Sequence, residues 1–369
     1  IKDKFDALDA LLVFLEVPIN IIKEKRRVIM TTLQSQFIKF HEAIRLNVDD
    51  KEVLISKRKK VEEVINNKVS EFKKSFFNQG SYSTHTGILP FEDGDYDLDR
   101  GLVVEVDRHS TSPKKIKEII YNALVSEFGN DNVKVKNPCI TVAFPKERVH
   151  IDVAVYCSEF DDYFLARGKL NSTEDNIKWE EAEPKELTDR INNALESSSD
   201  REQFRRIVRY LKRWKDLKFK NQDNRPTGIG ISVFAIEKFV VSKKVDYLSR
   251  NTTYNDVLAL KNFVRTMIDS FAATYDVERS LYYPRLKVVL PVKPHTDVYE
   301  RVSNIQMEDF KNKLLKLEAA LTDAIETSDL NEATKILNKQ FGDDFPIVEQ
   351  KETAENFGSR AIISDYPSA

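Results

Sequence analysis

Apolar residues recur with a helical period through residues 21–46. They recur again through 52–77, where Val53, Leu54, Val61, Val64 and Phe72 stand among alternating charges. The chain is therefore expected to open on long helices that continue to about residue 75 and pack across the back of a sheet. Short apolar runs come next: Leu102 to Val106, Val133 to Val135, Ile140 to Phe144 and Val149 to Tyr156 read as strands. Residues 113–128 between the first two read as an amphipathic helix closed by Gly129. From Lys185 onward the pattern is almost entirely helical, so the acidic stretch 179–186 is taken as a lobe boundary. The expected organisation is a mixed first unit over 1–185, a helical lobe over 186–347 and a weakly periodic, mobile tail over 348–369. No internal repeat is apparent.

The 58 Lys and Arg against 60 Asp and Glu leave a net charge of −2 over 369 residues, which excludes a global polyanion-binding field. A nucleotide site would have to be a local basic cluster, and no stable nucleic-acid partner is expected. The apolar run Ala10 to Leu15 is short and flanked by charge, so neither a membrane span nor a signal peptide is expected. Both cysteines, Cys139 and Cys157, fall in apolar strand-like stretches and read as buried thiols of a cytoplasmic protein. The five histidines show no zinc-ligand spacing.

The candidate chemistry lies around residue 90. Gly80-Ser81-Tyr82 reads as a phosphate-binding turn, and Asp95-Tyr96-Asp97-Leu98-Asp99 leads into the strand Leu102 to Val106. Residues two apart on a strand share a face, so Asp95, Asp97 and Asp99 would project together. Three carboxylates crowded on one face repel each other unless a divalent cation intervenes. Asp152 lies inside an apolar run where an unpaired acid is unfavourable, and it would complete the set if its strand lay beside the first. In the competing reading, Asp93, Gly94 and Asp95 form a loop and the other acids are helix caps or surface charge.

Gln79-Gly80-Ser81-Tyr82 with Thr86, followed by Asp97-Leu98-Asp99-x-Gly101 and Asp152, resembles the polymerase-β nucleotidyltransferase superfamily. A later basic helix ending in Lys212-x-Trp214 makes the chain similar, over residues 72–345, to the CD-NTases. These are the cyclic-oligonucleotide synthases of bacterial antiphage systems, relatives of cyclic GMP-AMP synthase and oligoadenylate synthase. The resemblance implies an α+β fold, with a polymerase-β-like lobe on a mixed sheet and a C-terminal helical lobe. It implies Asp97, Asp99 and Asp152 as catalytic ligands of two Mg²⁺ ions, with Mn²⁺ as an alternative. Gln79, Gly80, Ser81, Lys212 and Ser232 would hold the triphosphate. The substrates would be ATP, GTP or other nucleoside triphosphates, and the product a cyclic di- or trinucleotide messenger. Arg100 departs from the pattern, standing where many relatives have a third acid.

On the helix beginning near Asp200, Phe204, Ile207, Val208, Leu211 and Trp214 form a buried stripe, and the cations from Arg205 to Lys215 read mostly as a solvated face. Lys212 is set apart by the resemblance alone. Ser232 is expected at the start of the next helix, where a hydroxyl and free N–H groups suit phosphate or simply form a cap. The small-ended tail, Asn356 to Ala369, would suit a ubiquitin-conjugation-like operon partner if the resemblance extends that far; the alternative is an ordinary frayed terminus. Two functional alternatives stand: a nucleotidyltransferase acting on RNA, protein or a small molecule, and a catalytically silent nucleotide sensor.

Overall fold

Alternation in two central strands organises the first lobe. The computed structural model describes residues 33–220 and 222–349. The early part of the first expected helix, the apolar run at residues 10–15 and the expected tail beyond 349 lie outside them. Helix α1 covers residues 33–44, and α2 (Val48–Lys68) starts in a capping box made by Asn47 and Asp50. Strand β1 (Lys74–Asn78), the single turn α3 (Gly80–Ser83) and β2 (Tyr96–Val104) follow. Helix α4 (Pro113–Phe128) leads to β3 (Val133–Val135), β4 (Ile140–Phe144), β5 (Val149–Glu159), β6 (Asp162–Arg167) and β7 (Lys178–Ala182).

These strands form one mixed sheet in the order β1-β2-β5-β4-β3. β2 and β5 run parallel at its centre, and the other pairs are antiparallel. Along the edge away from β2, the eleven residues of β5 serve two partners end to end: β4 along Val149 to Val153 and β6 along Tyr156 to Glu159. Leu98, Leu102 and Val104 of β2 and Val149, Ile151, Val153 and Val155 of β5 face α2 and α4, where they meet Leu54, Val61, Ile65, Ile116, Ile120 and Leu124. The alternate residues face the other way, and there the acids stand.

The second lobe comprises α5 (Pro184–Asn192), α6 (Ser198–Lys218), α7 (Gly228–Lys238), the hairpin β8 (Lys243–Val245) and β9 (Thr252–Tyr254), α8 (Asp256–Asp269), the hairpin β10 (Ala272–Asp276) and β11 (Leu281–Arg285), α9 (Asn304–Glu326) and α10 (Leu330–Phe341). Its core draws Phe204, Leu211 and Trp214 from α6 together with Phe263, Phe310 and Phe341. It also takes Leu33, Phe37, Phe40 and Ile44 of α1, so the N-terminal helix packs with the C-terminal half.

Three expectations are corrected. Helix does not continue to residue 75, since α2 ends at Lys68 and Lys74–Asn78 is an edge strand whose Phe77 covers Gly101 of β2. The region after Lys185 carries two hairpins, with β-branched and aromatic residues in β9, β10 and β11. The cations of α6 are not a solvated face: Lys212, Arg213 and Lys215 are buried, and Arg206 forms a bidentate pair with the fully buried Asp256 at 2.6 and 2.9 Å.

Candidate active site

Asp99 of β2 and Asp152 of β5 are direct register partners on adjacent parallel strands, and Asp97 pairs with His150 two residues earlier. Strand period therefore places Asp97, Asp99, His150 and Asp152 on the same face, turned away from the helical layer. Asp95 precedes β2 and lies in the loop, where its Oδ2 is 3.3 Å from His150 Nε2. It does not continue the strand alternation as the sequence suggested. The second ring nitrogen of His150 stands 3.6 Å from Asp97 Oδ1.

The turn beside these acids explains its glycine. Gly80 has φ +71°, and a β-carbon there would lie 1.8 Å from Asp99 Oδ2, so only glycine lets the backbone close on the carboxylate. The predicted phosphate turn is the one-turn helix α3. Gln79 precedes it and accepts a hydrogen bond from Tyr156 OH at 3.0 Å. Burial in the cleft, then the Asp152 and Asp97 carboxylates, push Asp99 up to about 6. Asp97 is also raised, first by desolvation and next by Asp152, although its tip is open to solvent.

The second lobe supplies the opposite wall. Lys212 of α6 is buried, and its ammonium donates to Thr86 O at 3.0 Å and Thr86 Oγ1 at 2.9 Å. Burial, then Lys215 and Arg209, lower it to about 7. Its stem runs under Gly228, where a β-carbon would meet Lys212 Cε at 3.2 Å. Ser232 does not start its helix. Thr227 caps α7, accepting from Gly230 N, while Ser232 sits a turn later and donates to Gly228 O at 3.2 Å. Gln79, Gly80, Ser81, Asp97, Asp99, Asp152, Lys212 and Ser232 all line one cleft of about 1000 Å³ between the lobes.

The donor set has the chemistry of a hard-cation site: carboxylate oxygens whose mutual repulsion a dication relieves. Among the described residues, no three His, Cys, Asp or Glu side chains converge on a common point. Asp97 leans to His150, and Asp152 accepts from Thr141 Oγ1 at 2.5 Å. The residues thus fit a divalent ion in donor type. Sequence reasoning missed His150, Lys136, Thr141 and the cleft-lining Lys215, Lys220 and Arg225. His150 was legible as a second polar residue in an apolar strand, two positions before Asp152; the others carry no motif.

Residues 30–194 match the family described as Second Messenger Oligonucleotide or Dinucleotide Synthetase domain, SMODS. A cyclic GMP-AMP synthase of Escherichia albertii is 31% identical over 153 residues, which is 40% of this chain and 32% of that protein; the match thus spans about a third of the relative's length. Among solved structures, the Bradyrhizobium diazoefficiens CD-NTase CdnG in complex with GTP superposes with a TM-score of 0.64 at 14% identity, covering 84% of this chain and 95% of the other. Escherichia coli MS115-1 CdnC with ATP gives 0.60 at 15%, covering 85% and 98%. The GTP-bound form of Vibrio cholerae DncV gives 0.57 at 18%, covering 88% and 85%. The fold is that of the CD-NTases, a polymerase-β-like lobe joined to a helical one.

Proposed function

We propose, from the match of residues 30–194 to the Second Messenger Oligonucleotide or Dinucleotide Synthetase family, that the chain is a nucleotidyltransferase that joins nucleoside triphosphates into a cyclic di- or trinucleotide messenger for antiphage signalling. The observation that carries this reading is the in-register pair Asp99 and Asp152, with Asp97 beside it, facing a buried lysine from the other lobe across one cleft. GTP and ATP are named with the CdnG, CdnC and DncV structures, which supports purine triphosphates as substrates.

Asp97, Asp99 and Asp152 would hold magnesium, with two ions the expected complement. When bound, magnesium neutralises charge on the triphosphate and the leaving pyrophosphate and activates the attacking ribose hydroxyl. Asp152 stands on the strand farther from the phosphate turn and is assigned to the hydroxyl side. Gly80 allows the backbone to approach phosphate oxygens, with Ser81 and Gln79 flanking it. Lys212 exchanges Thr86 for a triphosphate oxygen, and Ser232 adds a hydroxyl from α7. Among the described residues, no helix is long and apolar enough to cross a bilayer.

The test is mass spectrometry of products formed from a mixture of the four nucleoside triphosphates with Mg²⁺. A phosphatase-resistant cyclic oligonucleotide is expected. A linear adduct on an added RNA or protein, with nothing made from triphosphates alone, would shift the assignment to another acceptor. Binding without turnover in every mixture would make the chain a sensor.

A further inference from the structure

Asp152 is held from two sides by residues that belong to no nucleotide-binding motif in the sequence. Thr141 of β4 is its register partner and is buried, and its hydroxyl donates to Asp152 Oδ1 at 2.5 Å, the length of a charge-assisted hydrogen bond. Lys136, just past β3, places its ammonium 3.3 Å from Oδ2 and 3.5 Å from Oδ1.

The turn that carries Lys136 is itself pinned from below. The buried Lys117 of α4 donates to three carbonyls, Lys136 O at 2.9 Å, Asn137 O at 2.8 Å and Gly168 O at 2.7 Å. Lys136 N donates to Cys139 O at 2.9 Å, and Asn137 Oδ1 accepts from Gly168 N at 2.8 Å. A buried ammonium with three carbonyl partners fixes a backbone firmly, because moving any of them strands a charged donor. The backbone from which Lys136 reaches the acid is thereby fixed.

We propose, resting on the reading of the cleft as a nucleotidyl-transfer site, that Thr141 and Lys136 are positioning residues for Asp152. The Thr141 hydroxyl fixes one carboxylate oxygen, which sets the rotation of the group and leaves the other oxygen on the Lys136 side of the cleft. Lys136 offsets the charge that three clustered acids accumulate, and its field acts on Asp97 and Asp99 as well as on Asp152. Support of this kind around a ligating carboxylate changes metal affinity or activity by about 10–100-fold.

The test compares Thr141→Val, which keeps the shape and removes the donor, with Thr141→Ser, which keeps the donor. In the full chain, Thr141→Val is expected to lower kcat about 10–100-fold with the nucleotide KM unchanged, and Thr141→Ser to restore it. Lys136→Met, at a half-exposed position, should reproduce the loss without a folding defect, and Lys136→Arg should rescue it. A readout independent of turnover is Mn²⁺ binding followed by electron paramagnetic resonance with a non-hydrolysable nucleoside triphosphate present, where Thr141→Val weakens affinity by a similar factor. If the wild type is active and Thr141→Val matches it in kcat and Mn²⁺ affinity, the proposal is overturned. If the wild type transfers no nucleotide, the functional reading fails instead and the Mn²⁺ comparison alone decides whether Thr141 supports the acid.

Discussion

Asp99 Oδ2 occupies the space that a β-carbon on residue 80 would need, so one atom of the acid and one missing atom of the turn define the floor of the cleft. Lys212 is the corresponding residue on the other wall. Its folded value of about 7 lies below the ordinary 10.5, so between those pH values the unfolded chain holds a proton that the folded chain releases. The destabilisation from burying its charge is therefore complete below pH 7 and fades as pH rises toward 10.5. A triphosphate beside the ammonium reverses that balance. Nucleotide binding at pH 8 should take up about one proton, read by calorimetry in buffers of different ionisation enthalpy, and Lys212→Met should abolish the uptake while raising KM more than it lowers kcat. Binding by the wild type with no proton uptake would remove Lys212 from the triphosphate. The acids were legible as residues because aspartates two apart at a strand start, and one inside an apolar strand, conflict with burial. Lys136 and Thr141 were not, since a lysine in a turn and a threonine in a strand are ordinary until the register is known.

At the scale of elements, α6 is the part that joins the two lobes. Arg209 donates to Gly87 O at 3.2 Å and to His85 O, Lys212 to Thr86, and Arg213 to Leu89 O at 3.1 Å, so three cations on neighbouring turns hold the carbonyls of one loop. Arg209→Met should lower stability by about 1–3 kcal/mol, because it leaves two carbonyls without their donor. Arg205, which pairs with the exposed Glu202, is the control and should change stability by less than about 1 kcal/mol when replaced by Met. Equal melting temperatures for the two variants would show that the loop does not depend on the clamp. The apolar stripe of α6 was readable from its period, but the burial of its charged side was not. Periodicity reports which residues prefer the core and says nothing of a helix covered on several sides. β7 and β8 escaped notice for a different reason: Trp179-Glu180-Glu181 and Lys243-Lys244-Val245 pair through backbone groups with little apolar signal.

Across the whole molecule, the acids rise from a sheet backed by one core while Lys212 and Ser232 come from helices built on another, and the cleft lies where the two lobes meet. A ligand that touches both walls ties the lobes together, so the acids have to tolerate mutual repulsion until it arrives. That design predicts opposite responses of stability and activity at the same residue. The decisive measurement is Mg²⁺-dependent pyrophosphate release from nucleoside triphosphates by the wild type and by Asp99→Asn, taken alongside the melting temperature of each apoprotein. Release by the wild type is expected, with a loss of several orders of magnitude in Asp99→Asn and a melting temperature equal to or above the wild type's, because repulsion is relieved. An Asp99→Asn variant that releases pyrophosphate at the wild-type rate would contradict the assignment of this cleft as the site of nucleotidyl transfer.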